Sequence, residues 1–205
     1  MKRIFGMVIG VLVLLVAAQA WAQTNPHGLY LSGNIGFGIR SNANIAGPSG
    51  NEFDNDPAFI INGAIGVELN PLIRVEGEIG FHNNTADIAD GTPPQDFSFS
   101  VISFMGNGYF DIPTNSPIRP YVGAGLGLAV VNVVEDIGFT ANDSDMVGAF
   151  QLMAGVGFDI SPRATLTFGY RYFITTDPTF ILPFSGPFET EFTSHDFLFG
   201  ARFRF

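Results

Sequence analysis

Cysteine is absent from this chain. That excludes a disulfide framework, a thiolate metal site and a lipid-modified amino terminus. Lysine is nearly absent too. Lys2 is the only one, and Lys and Arg together number 9 against 19 Asp and Glu, a net charge of −10. So acidic a balance disfavours nucleic acid as a partner. Long apolar runs are also missing. Beyond Ile4 to Ala18 nothing approaches the roughly 20 residues of a membrane-spanning helix. Phenylalanine, with 22 copies, and glycine, with 25, are what the chain has in plenty.

The first residues read as a secretory signal. Met1-Lys-Arg3 is a short positive region, the apolar stretch follows, and Ala20-Trp-Ala22 offers small residues at the two positions a signal peptidase reads. The expected division is a signal peptide over 1–22 and one domain over 23–205. An exported, Phe-rich chain without disulfides or a second apolar run is either an all-β globule or a transmembrane β-barrel.

The pattern along the chain favours the barrel. Eight segments of about ten residues alternate apolar and polar side chains, the period of a strand whose two faces meet different surroundings. The third is the clearest. Ile73, Val75, Ile79 and Phe81 share one face; Arg74, Glu76, Glu78 and His82 share the other. Only the fourth, 97–111, changes phase, near Val101-Ile102, and a bulge is expected there. Glycines 36, 38, 66, 80, 123, 125, 127, 155, 157, 169 and 200 all fall on the polar faces. A narrow barrel, whose interior is filled by side chains, needs small residues there. Gly123-Ala-Gly125-Leu-Gly127 lacks the spacing and the following helix of a dinucleotide loop, so no cofactor is expected.

The connections alternate as well. Those at 70–71, 113–117 and 161–163 are short; those at 41–57, 83–96, 134–146 and 175–192 are long and polar. The fold class expected is all-β: an eight-stranded antiparallel up-and-down transmembrane β-barrel with short periplasmic turns and four long extracellular loops.

The last strand adds to this. Phe197, Phe199, Ala201, Phe203 and Phe205 share one parity, with Asp196, Gly200, Arg202 and Arg204 on the other and Leu198 as the exception. A strand that pairs with the first to close a ring in lipid would look like this.

These features together resemble the small outer-membrane β-barrel family that includes OmpA-like, OmpX-like and opacity-type surface proteins. The carriers are Gly28-Leu-Tyr-Leu-Ser-Gly33, Pro120-Tyr-Val-Gly-Ala-Gly-Leu-Gly127, Gly169-Tyr-Arg-Tyr172 and Gly200-Ala-Arg-Phe-Arg-Phe205. The resemblance implies an outer-membrane location in a Gram-negative cell and contact with outer-membrane lipid and lipopolysaccharide. It also implies that the barrel assembly machinery reads Gly200, Phe203 and Phe205 during biogenesis. The peptidoglycan-binding domain of OmpA has no counterpart here, so a cell-wall tether is not implied.

Two groups of residues stand out. Arg74, Glu76, Glu78 and Arg171 point inward at neighbouring expected heights. They read either as a gate or as a plug, and the plug is favoured because barrels of this size are normally filled. The long connections hold thirteen of the acids, among them Asp87, Asp96, Glu135, Asp136, Asp143 and Asp145, and no Lys or Arg. A solvated face explains them best; binding of cations or basic partners is the alternative. A lipid-modifying esterase would need Ser, His and acid together. His82, at an expected rim position, and Asp96, Ser98 and Ser100 across the second loop are the candidates, and their order matches no recognised motif. The function expected is therefore a monomeric, non-enzymatic structural or surface-interaction barrel, with a ligand of host or envelope origin at the loops. A narrow channel for ions or small solutes is the alternative.

Overall fold

The computed structural model describes residues 28–40, 57–88, 95–136, 140–176, 179–182, 186–189 and 193–205. The expected signal peptide lies outside them. Among the described residues there are ten strands: β1 Leu29–Arg40, β2 Ala58–Glu68, β3 Ile73–Ile88, β4 Gln95–Asp111, β5 Ile118–Asp136, β6 Thr140–Asp159, β7 Ala164–Thr175, β8 Thr179–Leu182, β9 Gly186–Glu189 and β10 Thr193–Arg204. Eight of them close an antiparallel barrel in the order β1-β10-β7-β6-β5-β4-β3-β2, and β8 pairs with β9 in a separate hairpin. The ring closes through eleven register pairs, from Tyr30↔Arg204 to Arg40↔Ser194.

The barrel is apolar outside. Ile35, Phe37, Phe59, Ile79, Leu126, Phe168, Phe199 and Phe203 are all exposed, whereas Asn62, Arg74, Glu76, Glu78, Gln151, Arg171 and Asp196 are buried. Strand alternation gives each strand one face for each environment, and the expected parity holds on β1, β2, β3, β5, β6, β7 and β10. Leu198 is the inward exception: its side chain lies beside Gly36.

The expected bulge at Val101-Ile102 is not there. β4 runs one-to-one against β3, from Ile73↔Phe110 to Ile88↔Gln95, and one-to-one against β5. The apparent phase change has another cause. Val101 and Met105 point inward, joining Ala129, Val131, Val147, Ala149 and Phe173 in an apolar cluster. The lumen is polar over part of its length and apolar over the rest, so hydrophobicity alone misassigns the faces of β4.

The short turns lie at one end and are locked by side chains. Asn70 Oδ1 accepts hydrogen bonds from the N–H groups of Leu72 (2.8 Å) and Ile73 (2.9 Å). Ser161 Oγ accepts one from the N–H of Ala164 (3.0 Å). Both are side chain–backbone locks of the kind that Asn and Ser supply in turns.

At the other end the strands are longer than the alternation suggested. Much of 83–96 and 134–146 is strand, not loop. Among the described residues, β3 beyond Asn83 pairs only with β4, and β6 before Gly148 pairs only with β5. A four-stranded wall, β3 to β6, therefore stands above the rim set by β1, β2, β7 and β10. The segment 175–192 likewise contains the β8–β9 hairpin. Phe97, Phe99, Val131 and Val133 supply the β-branched and aromatic residues that favour extended pairing.

Candidate functional site

Among the described residues the lumen holds two buried ionic clusters rather than one. The first centres on Arg74, which β3 sends inward. Its Nη1 lies 2.8 Å from Glu76 Oε1 and its Nε 3.0 Å from Asp111 Oδ1. Its guanidinium sits 3.8 Å from the centroid of the Tyr109 ring and 5.0 Å from that of Tyr121, close enough for cation–π attraction. Tyr30 Oη donates to Glu76 Oε1 at 2.8 Å, and Arg202 Nη1 lies 3.8 Å from Asp111 Oδ2. Two arginines thus face two carboxylates.

The second cluster centres on Arg171, which is 0% exposed. Its Nε is 2.7 Å from Asp196 Oδ2 and its Nη1 is 3.0 Å from Glu78 Oε1. Its Nη2 is 2.8 Å from His82 Nε2, which is 3.2 Å from Asp196 Oδ2. Ser194 Oγ donates to Asp196 Oδ1 at 2.5 Å. The chain of bonds continues across the lumen: Asn107 Nδ2 donates to Glu78 Oε2 (3.2 Å), and Gln151 Nε2 donates to Asn107 Oδ1 (2.7 Å). Side chains from β3, β4, β6, β7 and β10 are tied together in this way. Buried charges are costly unless paired and hydrogen-bonded, and this network does both.

Apolar packing adjoins the second cluster. The Phe173 ring lies 5.1 Å from the His82 ring, centroid to centroid, and belongs to the apolar cluster with Val101, Met105 and their neighbours. Arg171, Gln151, Asp196, Ser103 and Phe173 have no exposed surface. Among the described residues, two buried layers of charge and one of hydrocarbon fill the barrel.

The structure therefore separates the four inward charges expected to meet. Arg74 goes with Glu76; Arg171 goes with Glu78. Asp111, Asp196, Tyr30 and His82 complete the two groups. His82 is not a rim residue. It is buried in the lumen beside Arg171 and Asp196, away from the surface where an esterase would meet lipid. The side chains of Asp96 and Ser98 lie outside the described ones. Alternation in the sequence puts Tyr30, Gln151 and Asp196 on inward faces but carries no information on their heights.

Gly200 lies midway along the β1–β10 seam, where an added Cβ would collide with the Asn34 side chain and the Gly33 carbonyl oxygen. Phe203 and Phe205 face outward with their rings edge to face, 5.9 Å apart. The Phe205 N–H donates to the Leu29 carbonyl (3.1 Å). A partly exposed ionic group closes the short-turn end of the lumen, with Arg204 2.7 Å from Glu68 and 3.6 Å from Asp159.

A closed barrel, apolar outside and ion-paired within, is the architecture of proteins that span a membrane with strands. Residues 9–205 match the outer membrane protein beta-barrel domain. The chain belongs to that family. Members of such families lie in the outer membrane with their short turns toward the periplasm, which puts the long connections outside the cell. The chain is 27% identical to an uncharacterized protein of Brucella abortus, over 71% of this chain and 67% of that one. It is 26% identical to an opacity protein of Neisseria gonorrhoeae, over 60% of this chain and 61% of that one. Among solved structures, Neisserial surface protein A superposes with a TM-score of 0.62 at 20% identity, covering 87% of this chain and 97% of that one. The outer membrane protein OprG of Pseudomonas aeruginosa gives 0.55 at 15% identity, covering 87% and 96%. At these identities the solved structures share the fold. This is an outer-membrane β-barrel surface protein.

Proposed function

We propose that this protein is a closed barrel whose work is done outside the membrane: it anchors the β3–β6 wall and the acidic connections at the cell surface for contact with host or envelope components. The observation that carries the reading is the Arg171 network. It ties five strands across the lumen around a guanidinium with no exposed surface. A barrel filled in this way supports a structural or interaction role over a channel. The opacity protein among its relatives is in keeping with a surface role.

Lipid and lipopolysaccharide surround the barrel on this reading. The assembly machinery meets Gly200, Phe203 and Phe205 only during biogenesis, and the folded protein acts as a monomer without enzymatic activity. The test is a variant in which residues 86–97 are replaced by Asn-Gly, a sequence suited to a two-residue hairpin turn. A laboratory Gram-negative strain that does not adhere is made to express each form and is applied to epithelial monolayers. The parent confers adherence and the shortened form, folded and surface-exposed, does not. Equal adherence by both, or none by the parent, removes the wall from the function.

A further inference from the structure

Inward glycines let side chains meet across an intervening strand. Tyr30 on β1 passes over Gly66 on β2 to reach Glu76 on β3, and a Cβ at Gly66 would overlap the Tyr30 ring. Asn107 on β4 and Gln151 on β6 meet in the same way over Gly125 on β5. Both bridges lie within three strands that are consecutive in the chain.

Another bridge spans the place where the ring closes. Thr167, Gly200, Asn34 and Asn62 are successive register partners on β7, β10, β1 and β2. Thr167 Oγ1 donates to Asn34 Oδ1 at 3.3 Å, and Asn34 Nδ2 donates to Asn62 Oδ1 at 2.7 Å. This chain of bonds passes over the last strand at Gly200, which has no side chain to block it, and runs on across the first strand to the second. Each backbone ladder holds β10 on one side only. The Thr167–Asn34 bond joins its two neighbours directly, so it must break whichever side of β10 opens.

We infer that Thr167, Asn34 and Asn62 form a latch on the closed ring. The two ends of the Thr167–Asn34 bond are 133 positions apart, against 44 for Asn107 and Gln151. Long-range contacts of this kind form only after the chain has met the cost of closing the loop between them. The latch is therefore set after β10 has taken its place between β7 and β1. It does not help the ring to close; it slows its opening. Asn34 is the positioning residue, with its amide held from the β2 side by Asn62 so that its oxygen faces β7. Gly200 acts here as a saddle in the finished barrel.

The test uses the whole barrel, refolded from urea into detergent, with unfolding and refolding rates followed by far-ultraviolet circular dichroism. Thr167→Val removes the donated hydrogen bond and keeps the shape of the side chain. It unfolds about two- to tenfold faster, the rate equivalent of one net hydrogen bond, and refolds at the rate of the parent. Asn34→Ala removes both bonds and unfolds at least as fast, and adding Thr167→Val to it brings no further acceleration. Should Asn34→Ala not fold, the two rates of Thr167→Val decide. Gln151→Met removes a bridge made within consecutive strands, and it slows refolding. Thr167→Val that unfolds like the parent, or that refolds more slowly, overturns the proposal. So do additive accelerations in the double variant. Gln151→Met that only speeds unfolding overturns it too, because the kinetic pattern would then owe nothing to ring closure.

Discussion

Arg171 and Asp196 are neighbours twice over: they are directly opposed in the β7–β10 register, and their side chains form a 2.7 Å ion pair inside the lumen. The same guanidinium also reaches Glu78 on β3, on the other side of the barrel. One residue thus joins the wall that closes the ring to the wall that rises above it. Arg171→Met leaves Glu78 and Asp196 buried without their partner. The expected loss is about 3–5 kcal/mol of barrel stability, read from urea unfolding in detergent or vesicles. Combining it with Glu78→Gln and Asp196→Asn recovers part of the loss, because no uncompensated carboxylate remains at either position.

The outer face obeys the opposite rule. Leu126 is 72% exposed, and it faces hydrocarbon. Leu126→Arg is expected to cost about 2–4 kcal/mol, as charges do near the midplane of such barrels. Refolding yields and unfolding midpoints in vesicles measure it. A variant as stable as the parent would mean that β5 presents its other face to lipid.

Gly200 and Phe205 separate folding from assembly. Gly200→Ala drives a methyl group into Asn34 and the Gly33 carbonyl, so the finished seam is weakened wherever the protein folds. Deleting Phe205 removes an exposed ring at the rim. That deletion is expected to refold from urea into detergent like the parent, yet to accumulate less in the outer membrane of cells. Equal accumulation of parent and deletion removes the assembly-signal role of Phe205.

Sidedness can be mapped with single cysteines, since the chain has none of its own. Asn51→Cys and Asn142→Cys are expected to react with an impermeant maleimide on intact cells. Asn115→Cys, in the short β4–β5 connection, is expected to react only after the cells are broken. The reverse pattern would invert the barrel.

Much of this was legible along the chain. On β3, Arg74, Glu76, Glu78 and His82 alternate with apolar residues so regularly that the inward face could be named. Height was not legible. Strands in a barrel are tilted and staggered, so Arg171 meets Glu78, 93 positions away, while Arg74, much nearer in sequence to Glu78, belongs to another layer. β4 misled for a different reason: Val101 and Met105 face an apolar part of the lumen, and alternation reports polarity, not direction. The projecting wall was hidden because Asp87, Asp96 and Asp136 read as loop residues. Their cross-strand partnership, Asp87↔Asp96 and Asp96↔Asp136, is a property of pairing that no single segment carries.

Conductance tests the closed barrel most directly. The folded protein is inserted into planar bilayers, and current is followed under a steady voltage. The filled lumen predicts a baseline broken only by small, rare openings. A large and steady conductance from most inserted molecules would contradict it, and the protein would then have to be read as a channel.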